Sequence, residues 1–353
     1  MRCVVTDIPG GEAKGRKAGS RVTLHDVARE AGVSYATASR AVHPGTRKVK
    51  EAARNRVLAA AAKLNYTPNL PAQAVARGST MTVALVVGDV VDPYFSSLAA
   101  GARRAADDAG LTLTMAVTGG DPARELEIVR HLRGQRPQAI VVTGSRLTAG
   151  LHQDELIDEL RTFERTGGRV VLISQPELPF PTIALQNRDG SRRLAAAIKR
   201  LGYRRPAVLR GPLQQRTSQE RLDGVADEYE LAPAHVIEAA FTRDGGYAAM
   251  RTLIERGLGD IDVIVALNDV MAIGAMSALR DAGIVPGRQI GVAGFDDLPT
   301  ASDVIPTLTT VAAPLTVMGA RAVQLALTDA ATSGPEKVTT EVVIRDSTPP
   351  RPA

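Results

Sequence analysis

The sequence predicts an α/β protein: an N-terminal all-α helix-turn-helix head followed by a two-lobed, doubly wound body built on parallel sheets. Three observations carry this expectation. Val22 to Val42, VTLHDVAREAGVSYATASRAV, reads as two short helices joined at Gly32. From Met81 onward, near-continuous apolar strands alternate with amphipathic helices, the pattern of parallel sheets covered on both faces. The second half of the body repeats that alternation, which implies two such lobes in tandem with a cleft between them.

In the head, Thr23 can cap the first helix. Asp26, three residues on, can return a bond to the backbone while its charge meets the positive helix end. Val27 and Ala31 recur at helical spacing, and Ala28 is small where a second helix must cross. Gly32 permits the left-handed backbone that ends one helix and turns the chain. Ser34 then caps a second helix whose Ala38, Ala41 and Val42 face inward. Tyr35, Ala36, Thr37, Ser39 and Arg40 are left on the outer side, where a DNA major groove would lie. The alternative is a plain helical hairpin inside a larger core, but cap, small residue, turn glycine and polar outer face agree on the motif. A third helix, roughly Glu51 to Asn65, presents Ala53, Val57, Ala60, Ala61 and Leu64 as its apolar face. Pro68 ends the helical pattern, because it disfavours helix at the residue before it. Leu70 to Gly78 holds a helix start at Pro71 that is too short to be stable alone.

The body reads as strand MTVALVV, helix Phe95 to Ala109, strand LTLTMAV, a helix near Arg124 to Arg133, and strands AIVVTG and RVVLIS. The second half reads as helix Gly190 to Leu201, strand PAVLR, a helix near Arg221 to Tyr229, strand HVIEAA and helix Gly246 to Arg256. Strand VIVAL, helix Val270 to Asp281 and strand QIGVAGF complete it. The expected organisation is a disordered basic tail over 1–20, the head over 21–67, a hinge over 68–80, the body over 81–346 and a flexible tail over 347–353. Ligands in such sheets bind beyond the carboxyl ends of strands. The loops Gly88 to Phe95, Ser174-Gln175, Arg210 to Arg221, Phe241 to Gly246, Asn268-Asp269 and Phe295 to Leu298 are therefore candidates to face a ligand.

Charge is distributed unevenly. Arg21 to Arg77 carries ten basic and three acidic side chains, a net +7 against +5 for the whole chain. A basic head on a mildly acidic body points to a polyanion partner for the head alone. Cys3 is the only cysteine, so an intrachain disulfide and a cysteine-rich metal site are excluded. His25, His43, His131, His152 and His235 are scattered, so neither a metal nor another cofactor is expected. There is no apolar run of about 18 residues and no secretory signal, so a cytoplasmic protein with no membrane partner is expected. An enzyme acting on a sugar or nucleotide in the cleft is the alternative function. It is opposed by the absence of a phosphate-binding loop, a nucleophile elbow and a dinucleotide-binding glycine motif. A transport solute-binding protein is opposed by the basic head.

From about Val22 to Asp346 the chain resembles the lac repressor (LacI/GalR) family of bacterial transcription regulators. The resemblance rests on VTLHDVAREAGVSYATASRAV and RVLAAAAKLNYTPN in the head, and on DPYF, GPLQQRTSQERLDG, LNDVMAIGA, VAGFDDLP and PTLTTV in the body. It implies a ligand-responsive DNA-binding regulator, usually a repressor, whose body resembles periplasmic sugar-binding proteins. A homodimer would read a palindromic double-stranded operator, and a small effector, a sugar or sugar derivative, would switch it. No leucine-rich heptad tail is present, so a dimer rather than a tetramer is expected.

The resemblance places Tyr35, Ala36 and Arg40 where the second helix reads base edges. Arg40 can pair with guanine or clamp a phosphate, and Tyr35 can meet a thymine methyl or a phosphate. Thr23, Ser34, Thr37 and Ser39 would position the head through phosphates or caps, and Asn69 and Gln73 would reach DNA from the hinge. Val75 stands where the family commonly carries a leucine wedge for the minor groove. A shorter wedge and hinge-to-hinge packing both remain open. Lys50 stands where the family favours a serine cap for the third helix. In the cleft, Tyr94 and Phe95 could stack on a ring, with Tyr94 the better exposed. Arg221 matches the cleft arginine, Asn268 and Asp296 match ligand contacts, Phe241 matches an aromatic on the ligand, and Asp92 lies at the first cleft loop. Asp269 and Asp297 are expected to cap the helices after them. Ser174 and Gln186 stand where family members often carry aspartates, which leaves a different sugar, a phosphorylated sugar or a non-sugar effector open.

Overall fold

The computed structural model describes residues 22–42, 49–67, 78–328 and 334–352. The chain divides after Gln73 into two compact units. The first holds helices α1 (Leu24–Glu30), α2 (Tyr35–Val42) and α3 (Glu51–Lys63). Thr23 and Asp26 form the expected capping box: the Asp26 amide donates to Thr23 Oγ1 at 3.4 Å, and the Thr23 amide donates to Asp26 Oδ2 at 3.0 Å. Gly32 adopts φ +65°, ending α1 as the sequence requires. Ser34 Oγ accepts the Thr37 amide at 3.2 Å and so caps α2. Lys50 makes no side-chain cap on α3. The head core is Leu24, Val27, Ala28, Ala31, Ala38, Ala41, Val57 and Ala60. Most of these are alanines, so the helices approach closely but bury little apolar area.

The second unit contains both lobes. Strands β1 (Thr82–Val87), β2 (Thr112–Val117), β3 (Ala139–Thr143), β4 (Arg169–Ile173) and β5 (Thr182–Leu185) build the first sheet, with β11 (Glu336–Val338) at its edge. Its order is β11-β5-β4-β3-β1-β2, and every pairing is parallel. The second sheet has the order β7-β6-β8-β9, again parallel, from β6 (Pro206–Arg210), β7 (Val236–Glu238), β8 (Val263–Ala266) and β9 (Gly291–Ala293). A short antiparallel pair, β10 (Thr310–Ala312) with β12 (Glu341–Val343), lies beside it.

Strand alternation sends side chains into separate cores. Val83, Leu85 and Val87 pack towards α4 (Pro93–Asp108) and α12 (Leu315–Leu327). Ala84 and Val86 pack towards α5 (Pro122–Gln135) and α6 (Gln153–Arg165). In the second lobe Ala207 and Leu209 face α9 (Arg243–Arg256), α10 (Asp269–Asp281) and the short α11 (Thr300–Asp303). Val208 faces α7 (Asn187–Arg200) and α8 (Arg216–Ala226). Asp92 and Asp121 each cap the next helix, which begins with proline at a position where no amide donor is needed.

Four expectations are corrected. The lobes are not in tandem: α12 and β11 return to the first lobe, so the chain crosses between lobes at 185–187, 312–315 and 338–341. Only distant packing reveals this, because α12 carries the same apolar pattern wherever it docks. β2 is not covered on both faces; as an edge strand it leaves Met115 and Val117 45 % and 40 % exposed. α8 begins at Arg216 rather than near Arg221, so Arg221 sits inside a helix. The segment expected as a flexible tail from 347 is anchored at Ser347, Thr348 and Arg351, while Pro349, Pro350 and Pro352 are exposed. Ser347 and Thr348 are fully buried, Ser347 Oγ donates to the Val292 carbonyl at 2.6 Å, and the Arg351 guanidinium lies over the Tyr203 ring at 4.7 Å.

Candidate functional site

On the head, the outer face of α2 carries Tyr35, Ala36 and Arg40 exposed, with Thr37 and Ser39 at its margins. Ser34 Oγ lies 2.9 Å from Thr37 Oγ1, so these hydroxyls already serve each other. Thr23 Oγ1 donates to Asp26 Oδ2 at 2.8 Å, which commits its hydroxyl to the cap. Asn69, Gln73 and Val75 lie outside the described residues.

In the body, a cavity of about 400 Å³ lies between the lobes. It is within the usual range for small-molecule sites. Its lining includes all eight predicted effector residues: Asp92, Tyr94, Phe95, Ser174, Arg221, Phe241, Asn268 and Asp296. Asp92 Oδ1 accepts the Tyr94 amide at 2.9 Å, which aims the start of α4 at the cavity. Tyr94 and Phe95 meet edge to face with ring centres 5.1 Å apart. Both rings are partly buried, packed against the core of the first lobe. Burial also raises the Tyr94 phenol far above its ordinary value, aided by Asp296 nearby. Gly88 is required beneath Phe95, because a β-carbon there would stand 2.9 Å from the ring. Gly211 is required beneath Phe241 for the same reason, at 2.3 Å.

Arg221 organises the second-lobe wall. Its Nε donates to Asn187 Oδ1 at 2.9 Å, Nη1 to the Leu267 carbonyl at 2.7 Å, and Nη2 to Asp296 Oδ1 at 2.9 Å. Its guanidinium also lies 3.7 Å from the centre of the Phe295 ring. Burial, above all, drives the Asp296 carboxyl up to about 7; Asp92 adds to the rise while Arg221 opposes it. Burial raises Asp92 as well. Asp296 sits at φ +116°, a conformation rare for a side-chain-bearing residue and typical of sites where geometry outweighs local comfort.

The capping roles are reversed from expectation. Asn268, not Asp269, caps α10, with its Oδ1 accepting the Met271 amide at 2.9 Å while Nδ2 points to the Phe241 carbonyl at 3.5 Å. Asp269 is fully buried and ties loops together instead, accepting from Thr310 Oγ1 at 2.5 Å and the Leu298 amide at 2.8 Å. Asp297 caps nothing and pairs with Arg345 at 2.7 Å.

Sequence reasoning missed the first-lobe wall. Arg146 forms a two-pronged ion pair with Glu125, at 3.0 and 2.8 Å, and also donates to Ser174 Oγ at 3.3 Å. Ser174 donates in turn to the Gly144 carbonyl at 2.6 Å, so the residue found in place of an aspartate is a linker in this wall. Asn187, rather than Gln186, reaches the cavity, and its amide donates to Glu220 at 2.8 Å. The lobes also touch directly. The Arg216 amide donates to the Arg146 carbonyl at 2.9 Å, the Thr148 amide to the Gln214 carbonyl at 2.8 Å, and Gln175 Nε2 to Thr217 Oγ1 at 3.0 Å. The position of Arg146 just past a strand end was the signal that could have found it. Among the described residues there is no cluster of metal-ligating side chains, and no helix is long and apolar enough to cross a membrane.

Comparison with known proteins agrees with this two-part arrangement. Residues 23–69 match the family described as bacterial regulatory proteins, lacI family. Residues 80–343 match periplasmic binding proteins and the sugar binding domain of the LacI family. The HTH-type transcriptional regulator GalR of Escherichia coli (strain K12) is 33 % identical over 313 residues, covering 86 % of this chain and 88 % of GalR. The HTH-type transcriptional regulator CelR of Thermobifida fusca is 30 % identical over 313 residues, covering 85 % of this chain and 89 % of CelR. Among solved structures, the lac repressor dimer bound to operator and the anti-inducer ONPF superposes with a TM-score of 0.81 at 25 % identity, over 94 % of this chain and all of that one. A CelR–cellobiose complex superposes with a TM-score of 0.67 at 26 % identity, over 93 % of this chain and all of that one. The chain therefore belongs to the LacI family of bacterial regulatory proteins, DNA-binding transcriptional regulators rather than enzymes.

Proposed function

We propose that this regulator is a homodimeric repressor whose two heads read a palindromic operator and whose cleft takes a carbohydrate effector. The observation that carries the effector reading is the wall around Arg221. There Asp296 and Asp92 line a cavity together with Tyr94, Phe95 and Phe241. Carboxylates accept paired hydroxyls, while aromatic faces cover the apolar side of a sugar ring. CelR with cellobiose and the operator-bound lac repressor dimer, both similar to this chain, support the same reading.

On this reading Tyr35, Ala36 and Arg40 contact bases, while Thr23, Ser34, Thr37 and Ser39 position the head against phosphates. The hinge over 68–80, with Asn69, Gln73 and Val75, couples the head to the body. Asp92, Tyr94, Phe95, Ser174, Arg221, Phe241, Asn268 and Asp296 hold the effector. Effector shifts the population between lobe arrangements and, through the three inter-lobe crossings, changes operator affinity. Bound to its operator, the dimer resides on the nucleoid.

The test begins with a pool of duplexes carrying a random core, selected on the full chain at about 0.15 M salt. The expected product is a two-fold symmetric motif bound at least roughly a thousand-fold tighter than unselected DNA. Galactose, cellobiose and ribose are then added in turn; the effective sugar shifts that affinity by roughly 5- to 150-fold. If deleting residues 1–78 leaves DNA binding unchanged, the reading fails.

A further inference from the structure

Tyr35 is the one aromatic side chain of α2 and lies on its outer face, where little on its own helix holds its ring. It is the first helical residue and is 49 % exposed. An exposed tyrosine samples several rotamers, and a flexible ring is a poor reader of a base edge because immobilising it costs affinity. Here the ring is held from another helix. His25 of α1 stacks on it with ring centres 4.3 Å apart and planes 28° from parallel. His25 is itself exposed, so the stack adds little to the core and is not explained by packing of the fold. Its position is nonetheless fixed, because it lies in the turn bracketed by the Thr23–Asp26 capping box. Tyr66 packs at the edge of the head core.

We propose that His25 is a positioning residue for DNA reading: it holds Tyr35 in one orientation, so that the His25–Tyr35 pair, not Tyr35 alone, sets base preference at one position of each half-site. This rests on the proposed function, in which Tyr35 contacts bases. Phosphate contacts are sequence-independent, so a positioning role predicts a change in preference and not in general DNA affinity. An aromatic stack is worth roughly three- to ten-fold in an equilibrium, which sets the expected size of the effect.

The experiment repeats the random-core selection with the full chain and its His25→Ala, His25→Phe, Tyr35→Ala and His25→Ala/Tyr35→Ala variants. Tyr35→Ala identifies the base pair that Tyr35 reads. His25→Ala is expected to weaken preference at that same base pair by roughly three- to ten-fold, the worth of the stack. Its affinity for unselected DNA and its melting temperature should stay unchanged. His25→Phe, which keeps a flat ring, restores the preference, and the double variant is no worse than Tyr35→Ala. A motif left unaltered by His25→Ala, a loss at a different base pair, or additive losses in the double variant would each overturn the proposal alone. A wild-type chain that selects no motif overturns the operator reading, and this inference with it.

Discussion

Arg221 Nη2 lies 2.9 Å from Asp296 Oδ1, and each side chain is only 4 % exposed. A buried pair of this kind is held in place by its neighbours more than by its own attraction, since desolvation of both partners offsets most of the Coulomb gain. Here burial prevails over Arg221, and Asp296 titrates near 7 instead of at its ordinary 3.8.

That shift predicts a pH dependence of stability. In the unfolded chain Asp296 loses its proton near 3.8, whereas in the folded body it keeps it until about 7. The unfolded state therefore binds fewer protons across this window, and stability falls as pH rises through it. Melting temperatures between pH 4 and pH 7 should decline in the wild type, and Asp296→Asn should flatten part of the decline. Asp269 and Asp92, also raised by burial, retain the remainder. An equally steep decline in Asp296→Asn would show that Asp296 is not the group responsible.

Glu125 and Arg146 are joined through two bonds with side chains 12 % and 9 % exposed. Removing one partner strands the other charge, so Glu125→Ala should cost about 3–5 kcal/mol in urea unfolding. The double replacement Glu125→Met with Arg146→Met should recover most of that loss, because apolar residues of similar volume often substitute for a buried pair without penalty.

Helices α4 and α12 cross on two glycines. A β-carbon on Gly101 would stand 1.8 Å from the Thr316 carbonyl oxygen, and one on Gly319 would stand 1.9 Å from that of Leu98. Gly101→Ala must push the helices apart and should cost about 1–3 kcal/mol or more. Gly134, near the end of α5 with nothing within 4 Å of its β position, is the control. There Gly134→Ala should raise stability by about 0.4–1 kcal/mol through the unfolded chain. Urea midpoints of the two variants should move in opposite directions.

At the head, Thr23→Ala removes the capping box and should weaken α1 by about 1 kcal/mol. Hydrogen exchange on the full chain should show this as faster exchange of α1 amides, with the body unaffected.

Arg40→Ala separates the two roles open to that side chain. If it clamps a phosphate, the selected duplex binds more weakly and the salt slope falls by about one. If it pairs with guanine, preference at one base pair drops by about 1–3 kcal/mol with the salt slope unchanged. If neither the salt slope nor the preference at any base pair changes, Arg40 is not part of the DNA-reading face.

The candidate cleft residues Asp92, Ser174, Phe241, Asn268 and Asp296 were legible because they lie just past strand ends, where the doubly wound scheme puts ligand loops, whereas Arg221 lies inside α8 and was reached only through the family resemblance. How these residues bond was not legible. Asn268 and Asp269 are adjacent and equally able to cap a helix, and the one that does so is chosen by the pull of Thr310 and Leu298 on Asp269. Arg146 escaped notice because its partner Glu125 lies 21 residues away, on a helix whose one other acidic side chain, Glu127, is exposed.

The order of strands and helices, the basic charge of the head and the turn at Gly32 follow from residues a few positions apart. Caps, glycine turns and apolar periodicity act over a single turn of backbone, so neighbouring residues suffice to specify them. The interleaving of the lobes, the burial of Ser347 and Thr348, and the coupling of Arg221 to Asp296 join residues far apart in the chain. Those were decided only by tertiary packing, because burial and desolvation depend on everything that closes around a group and not on the residues beside it.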